Sequence, residues 1–130
     1  MKHQFKQRII YKDTDAEGVV YYANYLGFFE RGRMELLRDL GVSLKALKEK
    51  KGIVFAITKV ECDYYSPALL DDEITITTEI EEATHATISF KQEVLREDKI
   101  LVSAKIIACA ISLKNFKPRR LPQELVSLLK

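Results

Sequence analysis

Apolar and polar residues along the chain follow two different periods, and the change between them divides the sequence. Residues 4 to 11 place Phe5, Ile9 and Tyr11 on one side of an extended segment, with Gln7 interrupting the alternation, which predicts a short strand. The DTDAEG run that follows is built of turn formers. Asp13 and Asp15 can accept from nearby backbone N–H groups, and Gly18 can take a positive φ. From about Val20 to Leu40 the period becomes helical: Tyr22, Tyr25, Leu26, Phe29, Leu36, Leu37 and Leu40 recur at three or four, while Glu30, Arg31, Arg38 and Asp39 fall outside the stripe. Gly41 fits the left-handed residue that ends such a helix. Ser43 can cap a second short helix through Lys50, closed by Gly52.

Beyond Gly52 the period drops to two. Ile53, Phe55 and Ile57 alternate with Val54, Ala56 and Thr58, and the strand-like stretch continues to Tyr65 and a turn at Pro67. Ile74 to Ile80, Ala86 to Leu95 and Lys99 to Leu113 predict three more strands, joined by short polar links at Glu81 to His85 and Arg96 to Asp98. Links this short require antiparallel neighbours. Apolar residues on both faces of the strand from Lys99 suit a covered position inside a sheet. Ile88, Phe90 and Val94 are expected to leave Ser89, Lys91 and Glu93 facing water. LPQELVSLLK forms a short C-terminal helix behind Pro122. The outline is an α+β fold, one long helix against five antiparallel strands, in a single domain spanning residues 1–130. One helix cannot cover both edges of such a sheet, so pairing with a second copy into a homodimer is expected.

Composition narrows the classes. With 130 residues, 47% hydrophobic and 31% charged, five glycines and three prolines, the chain has the make-up of a folded domain rather than a disordered segment. Its 21 basic and 19 acidic residues are interspersed and give a net charge of +2, which provides no footprint for nucleic acid. The longest apolar run, Leu101 to Leu113, is broken by Ser103, Lys105 and Ser112, so membrane insertion is not expected. Cys62 and Cys109 lack CxxC spacing, and the N-terminus lacks the apolar run of a signal peptide. A reduced, cytoplasmic protein is therefore expected. His3 and His85 stand apart from any cluster with ligand spacing, so no metal is expected, and no serine lies in a GxSxG elbow.

Chemistry concentrates between Tyr11 and Arg33, where two carboxylates precede the start of the long helix. Unpaired N–H groups at a helix start can hold an oxyanion, and a neighbouring carboxylate can attack a carbonyl or activate water. The same two aspartates would equally serve to build the turn and cap the helix.

The segment DTDAEGVVYYANYLGFFERGR resembles the signature of hot dog fold acyl-CoA thioesterases of the 4-hydroxybenzoyl-CoA thioesterase and YbgC type, through D-x-D-A-x-G-V-V-Y-Y-x-x-Y and F-F-E-R-x-R. CDYYSPALLDDEITI and the strand order extend the resemblance over nearly the whole chain. It implies a sheet wrapped around the long helix and a dimer, or a dimer of dimers, with active sites between subunits. It implies that Asp15 is the catalytic carboxylate, Asp13 a supporting residue, and the backbone N–H of Tyr22 the oxyanion contact. Gly18, Val19 and Tyr25 of the same motif fall to substrate binding. Many YbgC-like members carry histidine where this chain has Tyr22, so no imidazole-assisted step is implied here. The implied reaction is hydrolysis of acyl-CoA to a carboxylic acid and CoA, with no cofactor beyond the substrate's own CoA. The competing class is a hot dog module that binds acyl-CoA without cleaving it.

After the last strand, Lys114, Lys117, Arg119 and Arg120 cluster where the resemblance brings the CoA phosphates, with Lys59 a further candidate. A solvated cationic surface accounts for the same cluster. Tyr22, Tyr25, Phe28 and Phe29 are either core or wall of the acyl site.

Overall fold

The computed structural model describes residues 2–129. Met1 and Lys130, which close the N-terminal segment and the C-terminal helix read above, lie outside the described residues. Five strands form one sheet: β1 (His3–Arg8), β2 (Ile53–Tyr64), β3 (Glu73–Ala83), β4 (Thr87–Arg96) and β5 (Lys99–Ser112). Their order across the sheet is β1-β3-β4-β5-β2, and every pair is antiparallel. β1 and β2 are thus the two edges. The stretch between them carries α1 (Asn24–Asp39) and α2 (Leu44–Lys51), and α3 (Gln123–Leu128) closes the described chain. Register shifts at Ile57/Lys59, Ile80/Glu82 and Val94/Leu95 interrupt the ladders, and breaks of this kind bend and twist a sheet.

α1 packs on one face of the sheet against β1, β3 and β4. Tyr25, Phe28 and Phe29 meet Ile74, Ile76, Val94 and Ile106, while Leu36 and Leu37 meet Ile88, Phe90 and Ala108 together with Leu47 of α2 and Leu125 of α3. Burying a side chain as large as Phe29, which is fully buried, contributes about 2–3 kcal/mol.

α2 has the predicted cap and stop and runs one residue beyond the predicted Lys50, to Lys51. The Ser43 hydroxyl accepts from the Ala46 N–H at 3.1 Å, and left-handed Gly52 ends the helix. Other boundaries move. The first strand stops at Arg8 and Tyr11 sits in a short 3-10 turn, 81% exposed. The cause is local: the Asp13 carboxylate accepts from the Ile10 N–H at 2.9 Å and folds the chain back on itself. Gln7 lies on the inward side with Phe5 rather than interrupting the alternation. α1 begins at Asn24, not Val20. The Val20 N–H donates to Ala68 O at 2.9 Å, the residue is paired with Thr14 in a separate antiparallel bridge, and its apolar side chain is buried in that loop. On the helix Phe28 is buried and Leu26 exposed, so the stripe is rotated from the one expected. β3 runs to Ala83, beyond Ile80. Ser89 is buried between its pairing partners Glu82 and Ile107 instead of facing water.

A polar cluster sits where α1 crosses the sheet. Gln92, fully buried on β4, donates from Nε2 to Phe29 O at 2.9 Å and to Thr78 Oγ1 at 2.8 Å, and its Oε1 accepts from Arg33 at 3.1 Å. These bonds satisfy the Gln92 amide and so offset the cost of burying it. Burial pulls the Arg33 guanidinium below its usual range. Gly32 lets the helix come this close: a Cβ there would stand 2.6 Å from Thr78 Oγ1 and 2.8 Å from Ile76 Cγ2.

Candidate active site

Residues 13 to 25 fold into a knot of backbone bonds that sets the start of α1 beside the aspartate loop. Asp15 N donates to Val19 O at 2.9 Å, and Gly18 N donates to Asp15 O at 3.1 Å with Gly18 at φ 81°. A residue bearing Cβ is strained at that φ, which is the turn role Gly18 was given. Val19 bridges to Leu69, and Leu70 N donates to Gly18 O, so the loop is tied to the segment before β3.

The two aspartates differ. Asp13 is buried, and its carboxylate is spent on the Ile10 N–H. Its carbonyl accepts from Tyr21 N at 3.2 Å and from the Asn24 side-chain amide at 2.8 Å, which binds the loop to the helix start. Asp15 is half-buried. Its Oδ1 accepts from Glu17 N at 2.9 Å, and Oδ2 has no bond among the described residues. One aspartate holds the loop and the other keeps an oxygen free.

Tyr22 lies in the turn ahead of the helix and is 62% exposed. Among the described residues its backbone N–H donates to nothing, and neither does that of Ala23 at the N-cap position. Free donors at a helix start carry its partial positive charge and suit an anion. Around them Val20, Tyr22, Tyr25, Tyr64, Tyr65, Ser66 and Pro67 line an open cleft of about 260 Å³. Tyr25 is buried behind it, and its phenol oxygen accepts from Ala68 N at 3.0 Å; burial pushes that phenol up. Tyr64, at the end of β2, donates to Tyr22 O at 3.2 Å. Burial, then the neighbouring Cys62 thiol, push its phenol up to about 12.

The structure places Tyr22 and Tyr25 on this cleft, and Asp15, Gly18 and Val19 in the bonded loop just ahead of it, not on the cleft wall. It does not bring the basic candidates there. Arg119 N pairs with Ala110 O, and its guanidinium donates to Lys51 O at 2.8 Å, at the end of the sheet where β5 finishes. Tyr65 and Ser66 bond Leu101 O where β5 begins. The length of β5 between these points is on the order of 30 Å. Arg120, next to Arg119, is exposed, and Lys59 is exposed on β2 and paired with Glu61 at 2.9 Å. Among the described residues no three His, Cys, Asp or Glu side chains converge as a metal ligand set would. Sequence reading passed over Asn24, Tyr64 and Gln92. Only the DxD motif lying near an Asn marks the first, and no local signal marks the other two.

Comparison with known proteins gives a consistent set. A family model described as the thioesterase-like superfamily matches residues 11–129. The chain is 40% identical over 120 residues to the acyl-CoA thioesterase YbgC of Haemophilus influenzae, covering 92% of this chain and 88% of that protein. It is 38% identical over 124 residues to the acyl-CoA thioester hydrolase YbgC of Escherichia coli, covering 95% and 92%. The crystal structure of a probable thioesterase from Bartonella henselae superposes with a TM-score of 0.89 at 39% identity, covering 94% of this chain and all of that one. The helix-on-sheet architecture is the hot dog fold that the motif implied.

Proposed function

The chain belongs to the thioesterase-like superfamily, and from that membership we propose that it hydrolyses the thioester bond of acyl-CoA to a carboxylic acid and CoA. The observations that support the mechanism are the free carboxylate oxygen of Asp15, in a loop tied by backbone bonds to the segment ahead of the helix, and the unpaired N–H of Tyr22 at the helix start. The thioester carbonyl accepts from the Tyr22 N–H, and the positive end of α1 stabilises the charge that develops on its oxygen. Asp15 then acts in one of two ways. As nucleophile, its oxygen adds to the carbonyl carbon, the C–S bond breaks, CoA leaves as thiolate, and water cleaves the resulting mixed anhydride. As general base, it takes a proton from a water that adds to the same carbon, and the thiolate leaves with a proton. Both routes balance without a metal or a redox group.

The same reading assigns a homodimer. β2 is an edge strand, and the side chains of Ile57, Val60 and Tyr64 along it are 45%, 41% and 46% exposed, an apolar strip that a second copy would cover. An edge strand paired with its own copy runs antiparallel, so the Tyr64 end of one chain meets the Ile53 end of the other. That arrangement carries Arg119 and Arg120 of one copy toward Asp15 of the other, where they would serve the CoA phosphates. Within one chain they are out of reach.

A thiol-release assay over short, long and aromatic acyl-CoAs, run on the wild type and Asp15→Asn, tests the reading. Wild-type turnover and its loss in the variant, with CoA binding retained, are expected. Binding of acyl-CoA without release by the wild type would make the protein a ligand-binding module instead.

A further inference from the structure

An oxyanion donor works through its aim, so the groups that fix the Tyr22 main chain matter as much as the N–H itself. Tyr22 joins two peptides. In the first, which carries the Tyr22 N–H, the Tyr21 carbonyl accepts from Asn24 N at 2.8 Å, and that plane is held from the helix side. In the second, the Tyr22 carbonyl accepts only a long bond from Tyr25 N at 3.4 Å within the helix start. Its other partner comes from far along the chain: the phenol of Tyr64 at 3.2 Å, a contact between residues 42 apart in sequence.

The Tyr64 ring is seated independently of that bond. It stands edge-on to the Tyr22 ring at 6.3 Å and 89°, and against the Tyr25 ring at 5.6 Å and 61°. Tyr25 is anchored in turn by Ala68 N. The hydroxyl of Tyr64 is therefore delivered by a packed aromatic group at the end of β2, and Phe can keep the packing while removing the bond. Held up to about 12, the phenol keeps its proton and remains a donor throughout the neutral and mildly alkaline range.

We infer that Tyr64 is a positioning residue for thioester cleavage: by donating to the Tyr22 carbonyl it fixes the turn from which the Tyr22 N–H meets the developing oxyanion. The inference rests on the role proposed above for that N–H. Tyr64 lines the same cleft, but its hydroxyl is directed at the Tyr22 carbonyl. It acts on turnover through the main chain of another residue, so its loss should leave ground-state binding intact.

The test uses the full-length protein with Tyr64→Phe and an acyl-CoA that the wild type cleaves. Two uncleavable CoA analogues separate the contributions: an S-alkyl thioether, which has no carbonyl, and a trifluoromethyl ketone, which presents a tetrahedral oxyanion. Expected for the variant are a fall in kcat of about tenfold, an unchanged KM, unchanged thioether affinity, and ketone affinity weakened by about the factor lost in kcat, a fraction of the 10²–10³ that deleting such a donor costs. A variant that keeps the full wild-type preference for the ketone overturns the inference and leaves the oxyanion reading standing. Loss of thioether and ketone affinity in equal measure also overturns it, since that marks a packing role. A wild type that binds both analogues equally overturns the oxyanion reading itself, and the inference with it.

Discussion

From Phe28 to Leu37, α1 is pressed into the sheet, with Phe28, Phe29, Gly32, Leu36 and Leu37 buried, whereas the turn just ahead, Tyr21 to Ala23, is exposed and leaves two backbone donors free. The contrast falls within a few residues of one element. The packed half is fixed by volume: Gly32 sits against Thr78, Ile76 and Gln92 with no room for a methyl group. The open half is fixed by hydrogen bonds from elsewhere, through the Asn24 amide to Asp13 O, Tyr64 to Tyr22 O and Val20 N to Ala68 O. A packed helix lends its start a precision that an exposed turn could not reach alone, and the start is left open at the donors to which the proposed mechanism gives the oxyanion.

Substitutions can break this contrast in order of size. Asp15→Asn should lower kcat on the order of a thousandfold, near 4 kcal/mol in the transition state, while urea unfolding stays within about 0.5 kcal/mol of wild type. A large loss of stability would mean that Asp15, too, only holds the loop. Gly32→Ala should do the reverse. Forcing a Cβ to 2.6 Å from Thr78 Oγ1 costs about 2–3 kcal/mol of stability and lowers Tm on the order of 8 °C, with kcat at low temperature little changed.

Gln92→Leu leaves Thr78 without its Gln92 donor and Arg33 without its Gln92 acceptor, and should cost about 1–2 kcal/mol by denaturant titration. An unchanged midpoint would show that the polar cluster contributes nothing to the packed half. The smallest effect expected is at Gly18→Ala. With φ at 81°, the added Cβ strains the loop by about 1 kcal/mol, read as a small shift in the urea midpoint and a fall in kcat of less than tenfold. Should Gly18→Ala destabilise the protein more than Gly32→Ala, the division between a volume-fixed and a bond-fixed half would be wrong.

Much of the fold was readable along the chain because its signals are local. The period of two after Gly52, the short polar links before Thr87 and Lys99, and the Ser43 and Gly52 ends of α2 each depend on neighbouring residues alone. The DxD loop was legible for the same reason. Tyr11 and Val20 misled because an apolar residue beside a periodic segment looks like part of it. Their bonding in a 3-10 turn and in a backbone bond to Ala68 O depends on partners the local pattern does not contain.

The sequence by itself determined five strands, one long helix and a pair of aspartates before it, since strand and helix periods and turn chemistry act over a few residues. Only the tertiary structure decided that Asp13 is consumed by the Ile10 N–H while Asp15 keeps an oxygen free. It alone decided that Gln92 is buried under Phe29, that Tyr64 reaches Tyr22, and that Arg119 stands at the far end of β5. Such contacts depend on sheet register and on where the ladders shift, and a single residue of slip would turn Gln92 on β4 or Tyr64 on β2 to the opposite face.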